Sequence, residues 1–191
     1  MPKIKLYIFL LLSAVLVGMR YTETQQELIV VPGVGFDQII VGQTLMNDIV
    51  KMQGRKGLKR YKRMGYATFS HGCERFYVKT LEYKKRGITF SSYYLYQSYS
   101  NQTFILASIR LEKPGYAKTT EGIILGQSTS ADVEGAYGKS IRYLSSYGKD
   151  AFKLFYPKAG ISFDLKSDSG DYDTLSSANK VIAIEIFAKQ E

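Results

Sequence analysis

The sequence has no tryptophan, and among its 191 residues only one cysteine, one histidine and four prolines. With Cys73 alone, an internal disulfide is excluded and stability must come from burial. His71 and Cys73 together fall short of the roughly four ligands that a zinc site needs. They stand two positions apart, so a strand would place both on one face. No third orienting group and no oxyanion hole accompany them, as nucleophilic catalysis would require. Cys73 reads as a small core residue and His71 as a strand-edge or turn residue. A calcium loop is also missing. Asp168, Asp171 and Asp173 in SDSGDYD are close together but out of step with the loop pattern, and no glutamate closes it. That stretch is expected to be an acidic, solvated hairpin loop. GVGF, Gly33 to Phe36, lacks the full glycine pattern and the lysine of a phosphate loop. The expectation is a non-enzyme with no catalytic residue, no metal and no cofactor.

What is present begins with a leader. Lys3 and Lys5 precede the apolar run LYIFLLLSAVLVGM, Leu6 to Met19. A positive region followed by a short apolar one has the form of a secretory signal. The run falls short of the roughly 20 apolar residues of a membrane span. Gly18 is small enough to end a leader, whereas Leu16 suits its position poorly. Met19 stands where a bacterial lipoprotein would carry its acylated cysteine, so no lipid can be attached there. Three outcomes stay open for residues 1–19: a cleaved signal peptide, a retained short anchor and, least favoured, a cytosolic protein. The first two place the chain outside the cytoplasm, periplasmic or secreted, in a bacterial-envelope setting. Residues 20–35 read as a linker.

Charge is uneven. Residues 19–117 hold 15 basic and seven acidic groups, whereas 118–191 hold nine and ten. One half of the molecule is therefore basic and the other nearly neutral. Tyrosine is abundant, with 16 residues, which favours strands over an all-helical bundle.

A repeat organises the rest. IIVGQTLMNDIVKMQG, Ile39 to Gly54, returns 84 positions later as IILGQSTSADVEGAYG, Ile123 to Gly138. Gly42 and Gly126 permit a backbone turn. Thr44 and Ser128 are expected as helix N-caps. A helix of about ten residues should follow, with Leu45, Ile49 and Met52 at helical spacing. Gly54 and Gly138 should stop it. A second shared block pairs LEYKKRGITF, Leu81 to Phe90, with LFYPKAGISF, Leu154 to Phe163. Alternation puts Leu81 and Tyr83 on one strand face, then Ile88 and Phe90 on the next strand after a turn near Gly87. A third block alternates Ile105, Ala107, Ile109 and Leu111 in one copy, and Ile182, Ile184 and Ile186 in the other. The expected fold class is α+β. Two tandem repeats are expected, 36–113 and 114–191, joined at Pro114 and Gly115. Each would be a short helix, or helical pair, packed on an antiparallel meander of three to four strands. The first copy carries an insertion of about 11 residues within a basic segment, 55–80.

The matching positions Ile39, Gly42, Thr44, Gly54 and Tyr83, with Ile123, Gly126, Ser128, Gly138 and Tyr156, resemble a known pattern. It is that of the tandem-repeat beta-lactamase inhibitor proteins and of the small outer-membrane assembly lipoproteins sharing their fold. The resemblance spans about residues 36–187. It departs in having no intra-repeat disulfide, no lipid-bearing cysteine, and Gln43 and Gln127 where methionine usually follows the first glycine. It implies a fold and a habit of binding other proteins across a sheet surface outside the cytoplasm; it carries over no target.

Two segments qualify as a binding surface. Lys59, Arg60, Lys62 and Arg63 lie in the basic insertion; they are an ordinary solvated face, or a contact for anionic headgroups, polysaccharide or an acidic partner. Tyr93, Tyr94, Tyr96 and Tyr99 lie among serine, glutamine and asparagine, a paratope-like mixture that equally suits half-buried strand residues. Asn101-Gln102-Thr103 is a glycosylation site only in a eukaryotic secretory context. Nucleic acid is not expected as a partner, because no recognition motif accompanies the charge. The functional expectation is an exported, non-enzymatic module binding an unidentified protein. The alternative is a membrane-proximal envelope protein touching anionic headgroups or polysaccharide through its basic insertion. An enzyme is the third reading.

Overall fold

The computed structural model describes residues 27–69, 72–95, 104–144, 151–166 and 176–190. Short strands open the fold: β1 (Leu28–Val30), β2 (Gly35–Phe36) and β3 (Ile39–Ile40), before helix α1 (Met46–Gln53). Then come β4 (Leu58–Phe69), β5 (Gly72–Tyr83), β6 (Ile88–Leu95), β7 (Ser108–Glu112) and β8 (Ala117–Thr119). Helix α2 (Ser130–Tyr137) precedes β9 (Ile141–Leu144), β10 (Ala151–Tyr156), β11 (Ile161–Lys166) and β12 (Val181–Phe187). The protein is α+β, with one large antiparallel sheet in the order β4-β5-β6-β7-β12-β11-β10-β9. The sheet is continuous, with β7 pairing antiparallel with β12 in its middle.

The alternation of apolar residues explains why one face of this sheet is core. Leu81 and Tyr83 stand opposite Phe90 and Ile88, which stand opposite Ile109 and Leu111. The same row continues through Ile184 and Ile186 to Phe163 and Ile161, then to Leu154 and Tyr156. All belong to one buried apolar cluster, which also takes in Met46 and Ile49 of α1 and Val133 of α2. Each fully buried aliphatic or aromatic side chain there contributes about 1.5–3 kcal/mol.

Several backbone and hydroxyl bonds recur at matched places. Ile40 N–H donates to Thr44 Oγ1 at 2.7 Å, and Ile124 N–H to Ser128 Oγ at 3.0 Å. Gly42 N–H donates to Leu106 O and Gly126 N–H to Val181 O, both at 2.8 Å. Leu106 and Val181 return N–H bonds to Thr44 O and Ser128 O. Tyr83 donates its hydroxyl to Gly54 O at 2.8 Å, and Tyr156 to Gly138 O at 3.1 Å. Gly54 and Gly138 end the two helices at φ 75° and 79°.

Five expectations are corrected. Thr44 and Ser128 do not cap the helices, because their hydroxyls are engaged by the turn before them. Leu45 holds the N-cap position of α1 with no side-chain bond, and Thr129 caps α2 in a capping box with Asp132. In α1 the buried pair is Met46 and Ile49, while Met52 is exposed; the helix is only eight residues long, and its last turn faces solvent. In the approach to β7, Leu106 rather than Ile105 is buried. In β12, Val181 takes the core position expected for Ile182. A register shift pairs Asp164 with Ala183 and Leu165 with Val181, and leaves Ile182 without an opposite residue. Finally, the described part of the stretch read as a linker, residues 27–35, joins the fold: β1 pairs in parallel with β8, and Val30 is fully buried. The leader, residues 1–19, lies outside the described residues.

Candidate functional site: the polar face of the sheet

The face opposite the core alternates out of phase with it. Across the central strands it presents Arg110 of β7, Ala183 and Glu185 of β12, Ser162 and Asp164 of β11, and Lys153 of β10. Arg110 Nη1 meets Asp164 Oδ2 at 2.5 Å, and its Nε lies 3.4 Å from Glu112 Oε2. Lys153 Nζ lies 2.6 Å from Glu185 Oε2 and 3.9 Å from Asp164 Oδ1. The side chain of Asp164 is 1% exposed and that of Arg110 8%. Removing two charges from water costs several kcal/mol per ion, so such a pair persists only when well hydrogen-bonded. Ala183, directly opposite Asp164, has only a methyl group, so Arg110 can reach Asp164 across β12. Nothing in the sequence reading singled out this network. Its signal was a lone Arg in SIRLE and a lone Asp in ISFDLK, two charges inside otherwise buried strands.

The residues expected to form one binding surface divide between the two faces. Tyr93 is 52% exposed on the polar face. It stands opposite Val78, which stands opposite Arg63. Lys59 and Tyr61 share that face. Tyr61 is held above its ordinary pKa, chiefly by a hydrogen bond to the Glu82 carboxylate, and Arg63 lies 5.9 Å from its ring. Arg60 and Lys62 point to the other side, opposite Leu81 and Lys79. Tyr94 is there too. It is buried, stacked on Tyr77 at 5.3 Å and edge-on to Phe104 at 4.9 Å. Lys62 and Lys79 lie over the Tyr77 and Phe104 rings at 4.6 and 4.1 Å. Burial, then the charge of Arg60, lowers the Lys79 pKa. Strand periodicity is the reason for the split, since consecutive residues point to opposite faces.

β4 pairs with β5 along all twelve residues and forms one edge of the sheet. Its cations also suit an edge that must resist pairing with other chains. The basic segment 55–80 thus forms most of the β4–β5 hairpin.

Tyr96, Tyr99, His71, Asn101 to Thr103 and Ser167 to Asp173 lie outside the described residues. Cys73 lies on β5, its backbone opposite Thr68. Among the described residues no group of three or more metal-binding side chains gathers, and no helix is long and apolar enough to cross a membrane. Comparison with known protein families, curated proteins and solved structures gives no significant match.

Proposed function

We propose that the chain is an exported, non-enzymatic module of two tandem repeats that binds a protein partner on the polar face of its sheet. The matched bonds around Thr44 and Ser128, and those from Tyr83 and Tyr156, support the duplication. In this reading each helix covers its own meander and leaves the opposite face for a ligand. The observation that carries the reading is Tyr93, an exposed tyrosine on a broad strand surface, with Arg63 in its cross-strand row and Tyr61 and Lys59 further along the same face. Tyrosine supplies large contact area at low entropic cost. The paired charges at the centre of the sheet give a fixed, polar floor.

A second reading rests on the edge position of β4. There Lys59, Arg60, Lys62 and Arg63 are all exposed, two to each face, as a rim meeting anionic headgroups edge-on would require. One comparison tests both. Lys59→Glu/Arg63→Glu reverses charge on the polar face, and Arg60→Glu/Lys62→Glu reverses the same charge on the other. Photocrosslinking from position 93 in envelope extract should capture a partner. The first variant should lose it and the second retain it. Equal loss in both, together with equal loss of binding to anionic vesicles, would replace the protein-partner reading with the membrane one.

A further inference from the structure

A depression of about 600 Å³ opens where β7, β11 and β12 meet the turn at Gly126. Ligand pockets commonly have about 300–1,000 Å³. Three of its lining residues are lysines from three separate segments: Lys113 after β7, Lys166 at the end of β11 and Lys180 before β12. Among the described residues, none of the three ammonium groups has an ion-pair partner, and the one lining carboxylate, Glu112, lies near Arg110. Ile182 supplies the accessible apolar part of the wall, with the fully buried Val181 behind it. Ile182 is the residue that the β12 irregularity leaves unopposed, and such irregularities re-aim side chains beside functional sites. Gly126 leaves its Cα bare under the Lys113 side chain, where a Cβ would overlap it.

These features are not simply a consequence of the fold. Lys180 bridges Thr129 as Ile105 bridges Leu45, so the matched place in the other half carries an apolar residue. A concave site lined by one sign of charge concentrates counter-ions. Lysine binds phosphate as a mobile point charge.

We propose that this depression binds a small phosphate ester, its anionic group held by Lys113, Lys166 and Lys180 and its apolar portion resting on Ile182. The source is either a soluble ester or a phospholipid headgroup.

The test uses the full chain, with hexyl phosphate and inorganic phosphate titrated calorimetrically at about 0.1 M ionic strength, where the Debye length is about 10 Å. Hexyl phosphate should bind saturably and more tightly than inorganic phosphate. Lys113→Gln/Lys180→Gln should weaken it by about tenfold or more, consistent with the strength of charge-assisted contacts. Lys158→Gln/Lys189→Gln removes the same charge from exposed positions beyond the opposite ends of β11 and β12 and should change affinity less than about twofold, as screened distant charges do. Co-sedimentation with phosphatidylglycerol vesicles separates the sources. Lysine-dependent vesicle binding assigns a lipid headgroup; its absence beside hexyl phosphate binding assigns a soluble ester. Failure of wild type to bind hexyl phosphate or the vesicles saturably, or equal weakening in both double variants, overturns the site.

Discussion

Gly87 closes the turn between β5 and β6 in the left-handed conformation, at φ 63° and ψ 33°. Its carbonyl accepts from Glu112 N–H at 2.9 Å, and a Cβ placed there would overlap the Glu112 carbonyl oxygen. Gly54, at φ 75° and ψ 179°, lies in an extended region that is essentially open to glycine alone, but a Cβ on it would meet nothing within 4 Å. The two glycines thus separate backbone strain from close approach. A left-handed alanine costs about 1–2 kcal/mol, and forcing an atom into packed surroundings about 1–3 kcal/mol more. Gly87→Ala is therefore expected to destabilise by about 2–5 kcal/mol through strain and overlap together, and Gly54→Ala by about 1–3 kcal/mol through backbone strain alone, read from urea midpoints at unchanged slope. Similar losses in both would show that φ alone matters. The turn at Gly87 was legible in LEYKKRGITF. The close approach of Glu112 was not, because it depends on a strand 25 positions downstream.

At the scale of elements, each helix end is tied to a strand by a tyrosine hydroxyl, Tyr83 to Gly54 O and Tyr156 to Gly138 O. Burial, the leading cause in each case, raises the pKa of both phenols. Neutral hydroxyls are thus the donors through the physiological range. Tyr83→Phe and Tyr156→Phe should each cost about 1 kcal/mol, and the double variant should cost their sum within about 0.5 kcal/mol. Thermal or urea unfolding of the three variants measures this; a strong non-additive excess would mean that the two helix ends are coupled. The strand faces carrying these tyrosines were readable, because Leu81 and Tyr83 alternate with polar neighbours. The phase of β12 was not, since VIAIEIF is apolar in both registers near its start and only pairing with β11 decides between Val181 and Ile182. The capping residues were equally ambiguous. Thr44 and Ser128 have hydroxyls that suit either a helix N-terminus or the preceding turn, and the turn takes them.

For the whole molecule, the central seam joins β7, from the basic half of the chain, to β12 and β11 from the neutral half. Charge asymmetry between the halves was visible in composition, but the Arg110–Asp164 contact was hidden by its separation of 54 positions. This pair crosses the seam on the face opposite the core, so it fixes the halves relative to each other from the side that the apolar cluster does not reach. Asp164→Ala leaves the Arg110 guanidinium buried without its closest carboxylate, and should cost about 3–5 kcal/mol. Arg110→Met/Asp164→Leu removes both charges and fills the space with apolar atoms. It should cost less than Asp164→Ala alone, because no uncompensated buried ion remains and Glu112, which loses Arg110, is solvent-exposed. Chemical denaturation of wild type, Asp164→Ala, Arg110→Met and the double variant forms a complete cycle. A double variant as unstable as the sum of the singles would mean that the two side chains act independently and that the seam is held by backbone pairing and the core alone. Restored stability with loss of partner capture from position 93 would instead assign the charges to recognition, with the apolar core sufficient to hold the halves together.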